Sequence, residues 1–179
     1  SFANTTTTAG DILIHPTNNQ ILWCATSVGL YKTSNAGTTW TMVQTGDFAQ
    51  GSIRLKPGTP STVYATSNNR FFRSTNSGDT FTQITTGLPL SNGRMIMDVT
   101  PANSEYVYIL ASTTSSGFQG IYRSVNGGTN WTKMSGTTNI LESNQAWYDL
   151  AFAVSPKNAN ELYSGCLNVW KSTNGGSTS

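Results

Sequence analysis

One ten-residue pattern occurs four times in this chain of 179 residues. It reads Tyr31-Lys-Thr-Ser-Asn-Ala-Gly-Thr-Thr-Trp40, then Phe72-Arg-Ser-Thr-Asn-Ser-Gly-Asp-Thr-Phe81, then Tyr122-Arg-Ser-Val-Asn-Gly-Gly-Thr-Asn-Trp131, and last Trp170-Lys-Ser-Thr-Asn-Gly-Gly-Ser-Thr-Ser179. The Ser/Thr anchors Thr33, Ser74, Ser124 and Ser172 stand 41 (74−33), 50 (124−74) and 48 (172−124) residues apart. A repeat of this length is one supersecondary unit that cannot bury its apolar face alone and must stack on its neighbours.

The alignment continues upstream of each anchor. Ile12-Leu-Ile-His-Pro16, Ile53-Arg-Leu-Lys-Pro57, Met97-Asp-Val-Thr-Pro101 and Phe152-Ala-Val-Ser-Pro156 put apolar residues two and four places before a proline. That is the period of a strand, ended by a residue that cannot donate to a ladder. A second short strand follows each time (Ile21-Leu-Trp-Cys, Thr62-Val-Tyr-Ala, Tyr106-Val-Tyr-Ile-Leu, Glu161-Leu-Tyr-Ser). The aromatic-basic-Ser/Thr segment is a third, and the stretch after the turn a fourth. Four short antiparallel strands every 40 to 50 residues predict an all-β chain of β-propeller blades. A sandwich would not repeat its sequence strand by strand, and solenoid repeats are usually shorter. The expected division is residues 1–9 as the end of a preceding blade or a linker, 10–46, 47–90 and 91–140 as three blades, and 141–179 as an incomplete fourth. About three and a half blades are thus expected, a piece of a larger propeller whose polypeptide continues at both ends.

Within the turn each residue type has a physical reason. Asn35, Asn76, Asn126 and Asn174 carry an acceptor oxygen that can close the turn on backbone groups just ahead. Gly37, Gly78, Gly128 and Gly176, two places on, permit positive φ. Trp40, Phe81 and Trp131 then supply a large apolar anchor. The pattern resembles the Asp-box, or BNR repeat, Ser-x-Asp-x-Gly-x-x-Trp, which implies a hairpin turn between the third and fourth strands of a blade. Asn stands here where that family usually has Asp, which keeps the acceptor and drops the charge. The turns are read as structural rather than as metal or sugar ligands, since in the family they lie at the rim, away from the axis.

The resemblance extends further. Gly87-Leu-Pro89, Gly93-Arg94-Met-Ile-Met-Asp-Val-Thr-Pro101 and Ile121-Tyr-Arg-Ser-Val-Asn-Gly-Gly are similar to propellers of the VPS10/sortilin-like type and to the large glycoside-hydrolase-like BNR proteins of bacteria. Gln145-Ala-Trp147-Tyr-Asp-Leu-Ala-Phe-Ala-Val-Ser-Pro156, running into Leu167-Asn-Val-Trp-Lys-Ser-Thr-Asn-Gly-Gly176, is similar to a blade of large surface proteins of Bacteroidota. The likeness implies an extracellular or cell-surface protein exported by type IX secretion, and a parent polypeptide whose other blades and domains are this segment's first partners.

Composition narrows the function. Charged residues are 10% of the chain and the net charge is +2, with no basic cluster, so nucleic acid is not an expected partner. No run of apolar residues is long enough for a membrane span. There is no phosphate loop, nucleophile motif or calcium-loop spacing, so no cofactor and no metal are expected. The single histidine, His15, sits at a strand end. A glycosidase needs two facing carboxylates, for which Asp98 and Asp149 are the weak candidates because they lie in or beside the first strands of blades. Arg94, Trp147 and Tyr148 are the candidate binding residues, and the inter-blade loops 85–92 and 135–145 are where specificity would sit. The reading is a non-catalytic module that binds protein or glycan; the alternative is a fragment of a glycoside hydrolase or sialidase-like enzyme. Cys24 and Cys166 are read as free thiols in different blades. Thiol titration of the unfolded, unreduced chain is expected to count two; a count of zero in a monomer would contradict the blade order.

Overall fold

The computed structural model describes residues 6–136 and 138–177. Strands β1 (Ala9–Ile14), β2 (Leu22–Thr26), β3 (Gly29–Thr33) and β4 (Thr41–Thr45) pair in chain order as one antiparallel sheet. A second sheet is β5 (Ile53–Lys56), β6 (Thr59–Thr66), β7 (Phe71–Ser74) and β8 (Thr82–Ile84). The third is β9 (Met95–Val99), β10 (Val107–Ser112), β11 (Phe118–Ser124) and β12 (Thr132–Lys133). A one-turn helix, α1 (Ala146–Asp149), precedes a fourth sheet of three strands, β13 (Ala151–Val154), β14 (Leu162–Gly165) and β15 (Val169–Ser172). Among the described residues the chain is an all-β propeller segment of three four-stranded blades and a three-stranded fourth. Ser179, the aromatic position of the last turn, lies outside the described residues, as do residues 1–5 of the segment read as the end of a preceding blade.

Register shows that the repeat is structural. Leu22 faces Thr33, Val63 faces Ser74, Val107 faces Ser124 and Leu162 faces Ser172, so residues equivalent in sequence occupy equivalent places in every blade. The first strands β1, β5, β9 and β13 are consecutive spatial neighbours. The second strand is sandwiched between adjoining blades: every residue of β10, Val-Tyr-Ile-Leu-Ala-Ser, is buried, which is why it reads as a continuous apolar run rather than an alternation. The outermost β12, Thr132–Lys133, is exposed and polar.

The core therefore lies between blades. Trp23 and Leu30 of the first blade pack with Ile53, Val63 and Phe72 of the second. Tyr64 and Phe71 of the second pack with Met97, Val107 and Trp131 of the third. Tyr108 and Ile121 of the third pack with Val154 and Leu162 of the fourth.

The repeated turn sits at these interfaces. In the third blade the Ser124 hydroxyl donates to Asn126 Oδ1 (2.9 Å) and accepts from Gly128 N (2.9 Å), while Asn126 Oδ1 accepts from Thr129 N (3.2 Å) and Asn130 N (3.0 Å). The Ser/Thr-to-Asn and Gly-to-Ser/Thr bonds recur in the other three turns. Each turn holds two successive residues at positive φ: Ala36 and Gly37 (53° and 86°), Ser77 and Gly78 (59° and 74°), Gly127 and Gly128 (64° and 79°), Gly175 and Gly176 (73° and 82°). The second must be glycine for a further reason. A Cβ on Gly78 would lie 2.2 Å from Trp23 Nε1, and one on Gly128 would lie 3.0 Å from Phe71 Cζ, both in the preceding blade. The left-handed bend turns the carbonyl of the first residue toward that blade, so Trp23 Nε1 donates to Ser77 O (3.2 Å) and Arg73 Nε to Gly127 O (2.8 Å).

Trp131 is 5% exposed and meets the Phe71 ring edge-on at 4.8 Å between centroids. Trp131→Ala is expected to destabilise by roughly 3–5 kcal/mol. Asn126→Ala loses the two backbone bonds to Oδ1, about 0.5–1.5 kcal/mol each. Asn126→Asp should be near neutral, since among the described residues it is the side-chain oxygen that makes the turn's bonds. Denaturant melts of the three variants check the order; an Asn126→Asp variant as unstable as Asn126→Ala would show that the amide, not the acceptor, closes the turn.

Candidate functional site

The segments that enter the first strands meet at one end of the blades. Gln50 precedes β5, Arg94 precedes β9 and α1 precedes β13. Arg94 ties the three together: its Nε donates to Gln50 O (3.1 Å) and one terminal nitrogen to Ala146 O (3.1 Å). Burial lowers the Arg94 pKa and the Asp149 carboxylate raises it again; a guanidinium stays charged in either case. Gln145 O accepts from Tyr148 N (2.8 Å) and Asp149 N (3.2 Å), and fully buried Ala146 plugs α1 into the protein. What α1 leaves outside is its aromatic pair. Trp147 is 59% exposed and Tyr148 75%, with ring centroids 5.5 Å apart.

Of the two candidate acids, Asp98 is held on both oxygens. Oδ1 accepts from Arg54 Nε (3.1 Å) and Oδ2 from Val154 N (2.8 Å) in the next blade. Arg54 also donates to Asp11 Oδ2 (3.1 Å), which accepts from Ile53 N (3.0 Å) as well. Asp11, Arg54 and Asp98 thus form a charge-alternating chain linking the first strands of three successive blades. Sequence comparison of the blades does not reveal it, because Asp11 and Asp98 stand at different places in the repeat. Asp149, on α1, accepts from Cys166 Sγ (2.7 Å), and that sulfur also lies 3.0 Å from Ser143 Oγ. The structure brings Arg94, Trp147, Tyr148 and Asp149 together around α1, and places Asp98 in the inter-strand chain.

The turn residues Thr33, Asn35, Gly37, Ser74, Asn76, Gly78, Ser124, Asn126, Gly128, Ser172, Asn174 and Gly176 are occupied by the hydrogen bonds of their own hairpins. Phe81 and Trp131 pack into inter-blade clusters, and Trp40 is half-buried beside Gly37. His15 Nδ1 accepts from Thr17 N (3.3 Å). Among the described residues no group of three His, Cys, Asp or Glu could hold a metal ion, and no helix is long and apolar enough to cross a membrane.

An apolar cleft of about 410 Å³ opens beside β15, lined among others by Ile121, Phe152, Leu162, Ser164 and Trp170. One blade earlier the equivalent residues are Phe71, Met97, Val107, Ile109 and Tyr122, and these cluster around Trp131. The cleft is the position that an aromatic turn residue fills in the third blade.

Residues 28–177 match the model of the Sortilin-Vps10 family, described as sortilin, neurotensin receptor 3. No curated protein matches the chain. Among solved structures, it is similar to a GH74 enzyme of Niastella koreensis (23% identity, TM-score 0.67, covering 93% of this chain and 28% of that one). It is also similar to a GH74 xyloglucanase of Xanthomonas campestris (15%, TM-score 0.65, 96% and 29%). A third likeness is to the structure of YCF48 bound to D1 peptide (16%, TM-score 0.54, 89% and 50%). The chain thus spans less than a third of the GH74 chains and half of the YCF48 chain. At these identities the likenesses establish the propeller fold.

Burial and the Asp149 carboxylate both push the Cys166 thiol pKa up, partly countered by Ser143. Asp149→Asn should lower it and speed iodoacetamide alkylation of the native protein near neutral pH, by up to about tenfold, since one pKa unit is a tenfold change in thiolate. Cys24, buried in β2, should stay unlabelled. Mass spectrometry of the two cysteine peptides reads both; an unchanged Cys166 rate would mean Asp149 does not accept from the sulfur.

Proposed function

The chain belongs to the Sortilin-Vps10 family, and from that premise we propose that it is a non-catalytic binding module, engaging a protein or glycan ligand through the surface around α1. The observation that carries this is the Trp147–Tyr148 pair. Two large aromatics side by side in solvent gain nothing for the fold, whereas flat amphipathic rings bury ligand area at little entropic cost. Arg94 and the buried Ala146 fix the backbone beneath them, so the platform is organised before a ligand arrives. That a related propeller is seen with a bound peptide supports a protein ligand; that others are GH74 enzymes, one a xyloglucanase, supports a glycan.

The alternative, a fragment of a glycoside hydrolase, needs a free carboxylate pair. Asp98 is committed to Arg54 and Val154 N, and Asp149 to Cys166, which argues against these two as that pair. A secreted or cell-surface setting is part of the proposal. Its finer form, a Bacteroidota protein exported by type IX secretion, rests on the resemblance of residues 145–176, and a sorting domain in the full polypeptide would test it.

The expected outcome is that Trp147→Ala and Tyr148→Ala leave the melting curve unchanged, because both side chains are exposed. Each should weaken ligand binding by about tenfold or more, roughly 1.4 kcal/mol. A glycan array and a surface-peptide library find the ligand; titration of the two variants then checks the site. Wild-type affinity in the double variant would remove α1 from the binding surface. Xyloglucan cleavage by this chain that is lost in Asp149→Asn would replace the binding reading with the enzymatic one.

A further inference from the structure

The ladder between third and fourth strands ends sooner in the second blade than in the first. It runs on to Gly29 opposite Thr45 in the first blade, whereas between β7 and β8 it stops at Phe71 opposite Ile84. Past that pair Arg70 and Thr85 line a cleft of about 220 Å³. The first and third blades stand complete on either side of it. The position of Arg70 is Gly29, Gly120 and Asn168 in the other blades. A Cβ on Gly29 would lie 2.6 Å from Gln44 O, and one on Gly120 would lie 2.7 Å from Lys133 Cε, so in those two blades the fourth strand crowds the place. In the second blade the place carries an arginine, with the cleft beside it.

Part of the lining is apolar and fixed. Phe71 and Met95, 0% and 1% exposed, belong to the core between the second and third blades. Leu88 and Pro89 of the connection between these blades complete that part. The connection is seated by Leu88 N donating to Thr85 O (3.1 Å) and Trp131 N to Thr86 O (3.1 Å), and it passes so close that a Cβ on Gly87 would lie 1.9 Å from Trp131 O. The rest is polar: Asn69, Arg70, Gln83 and Thr85, all exposed residues. Four of the five arginines are committed to protein acceptors. Arg54 donates to Asp11 and Asp98, Arg73 to Gly127 O, Arg94 to Gln50 O and Ala146 O, and Arg123 to Asn160. The Arg70 guanidinium has no acceptor among the described residues.

We propose that this cleft binds an acidic sugar. Arg70 takes the carboxylate of a uronate, Asn69, Gln83 and Thr85 take its ring hydroxyls, and Leu88 and Pro89 lie against the apolar face of the ring. A guanidinium pairs with a carboxylate through two parallel N–H···O bonds, so an uncommitted arginine beside a cleft selects that group. Side-chain amides and hydroxyls both donate and accept, as sugar hydroxyls do. A carboxylate on an apolar side chain would leave those three polar groups without partners, at a cost in affinity. The cleft is smaller than the roughly 300–1,000 Å³ that hold drug-sized ligands, so it takes one residue of a polyuronate. Because its apolar part is held in place before binding, little ordering cost is expected. It shares no lining residue with the surface around α1.

Nuclear magnetic resonance titration of the full chain with sodium glucuronate tests this, with glucose, acetate and N-acetylleucine compared at constant ionic strength. Glucuronate should shift the side-chain amide signals of Asn69 and Gln83 and the Nε signal of Arg70. Glucose and acetate, each offering half of the recognised groups, should bind at least about tenfold more weakly. Arg70→Gln should bring glucuronate down to the level of glucose and leave the melting curve unchanged, since the guanidinium holds no described protein group. Gln83→Ala, at another exposed residue, should weaken glucuronate and leave acetate unaltered, and it carries the test should Arg70→Gln fail to fold. Trp147→Ala should bind glucuronate as the wild type does, which keeps this site separate from the α1 surface. The proposal is overturned if tens of millimolar glucuronate shifts none of these signals, or if Arg70→Gln keeps wild-type affinity. N-acetylleucine binding more tightly than glucuronate would make the cleft a site for a peptide end, and a loss in Trp147→Ala would move the sugar to α1; either result overturns it as well.

Discussion

Two of the joins between blades depend on a carbonyl bent the wrong way. In each repeated turn the residue before the glycine is held at positive φ, although it is alanine in the first turn and serine in the second. L-residues avoid that region because Cβ crowds the following carbonyl. In the second and third turns the bend aims that carbonyl out of its own hairpin at a donor of the preceding blade: Ser77 O meets Trp23 Nε1 and Gly127 O meets Arg73 Nε. The Ser/Thr–Asn–Gly bonds compensate the strain: Ser74 Oγ and Asn76 Oδ1 between them satisfy the amides that a tight left-handed bend leaves unpaired. The turn that closes one blade is thus also the clasp on its neighbour.

With the clasp in place the distribution of the core follows. A single four-stranded sheet has two faces and no interior, so its second strand can be wholly apolar only when blades cover both sides, as they cover β10. Stability then resides in the contacts between blades more than within them, as in other repeat proteins. The chain's low charge fits this arrangement. Its blades are joined by backbone carbonyls and by a few ion pairs such as Lys32–Asp79 and Lys56–Glu105, each spanning an interface.

The fold was legible because four imperfect copies of one pattern can be read against one another, and Thr33, Ser74, Ser124 and Ser172 do pair at the same register in each sheet. The glycine two places after each Asn was legible too, since its need for positive φ is local. What lay outside the sequence was every relation between one repeat and the next. Nothing local to the third strand says that Arg73 addresses Gly127 O, 54 residues on. Arg54 joins Asp11 to Asp98 across blades for the same reason unseen. Nor does the sequence place the Cys166 sulfur against Asp149, 17 residues earlier, on a helix too short to show a helical period.

The site around α1 is legible in a different way, as the place where the repeat fails. The connections between blades run from Thr45 to Ile53 and from Ile84 to Met95, but from Lys133 to Ala151 before the fourth blade. The extra length holds Ser143, Ala146, Trp147, Tyr148 and Asp149, none of which has a counterpart in the other blades. A residue that recurs in every blade is constrained by the clasp and the core, and changing it costs stability at each interface. A residue in the insertion answers to neither. Buried Ala146, its bonds to Arg94 and Ser116 O, and the Asp149–Cys166 contact hold α1 to the framework, so the exposed face that carries Trp147 and Tyr148 can vary in sequence without disturbing a blade. Such a division lets a propeller keep one fold while a surface loop changes, and the two aromatics proposed as the binding surface stand on that part of the chain.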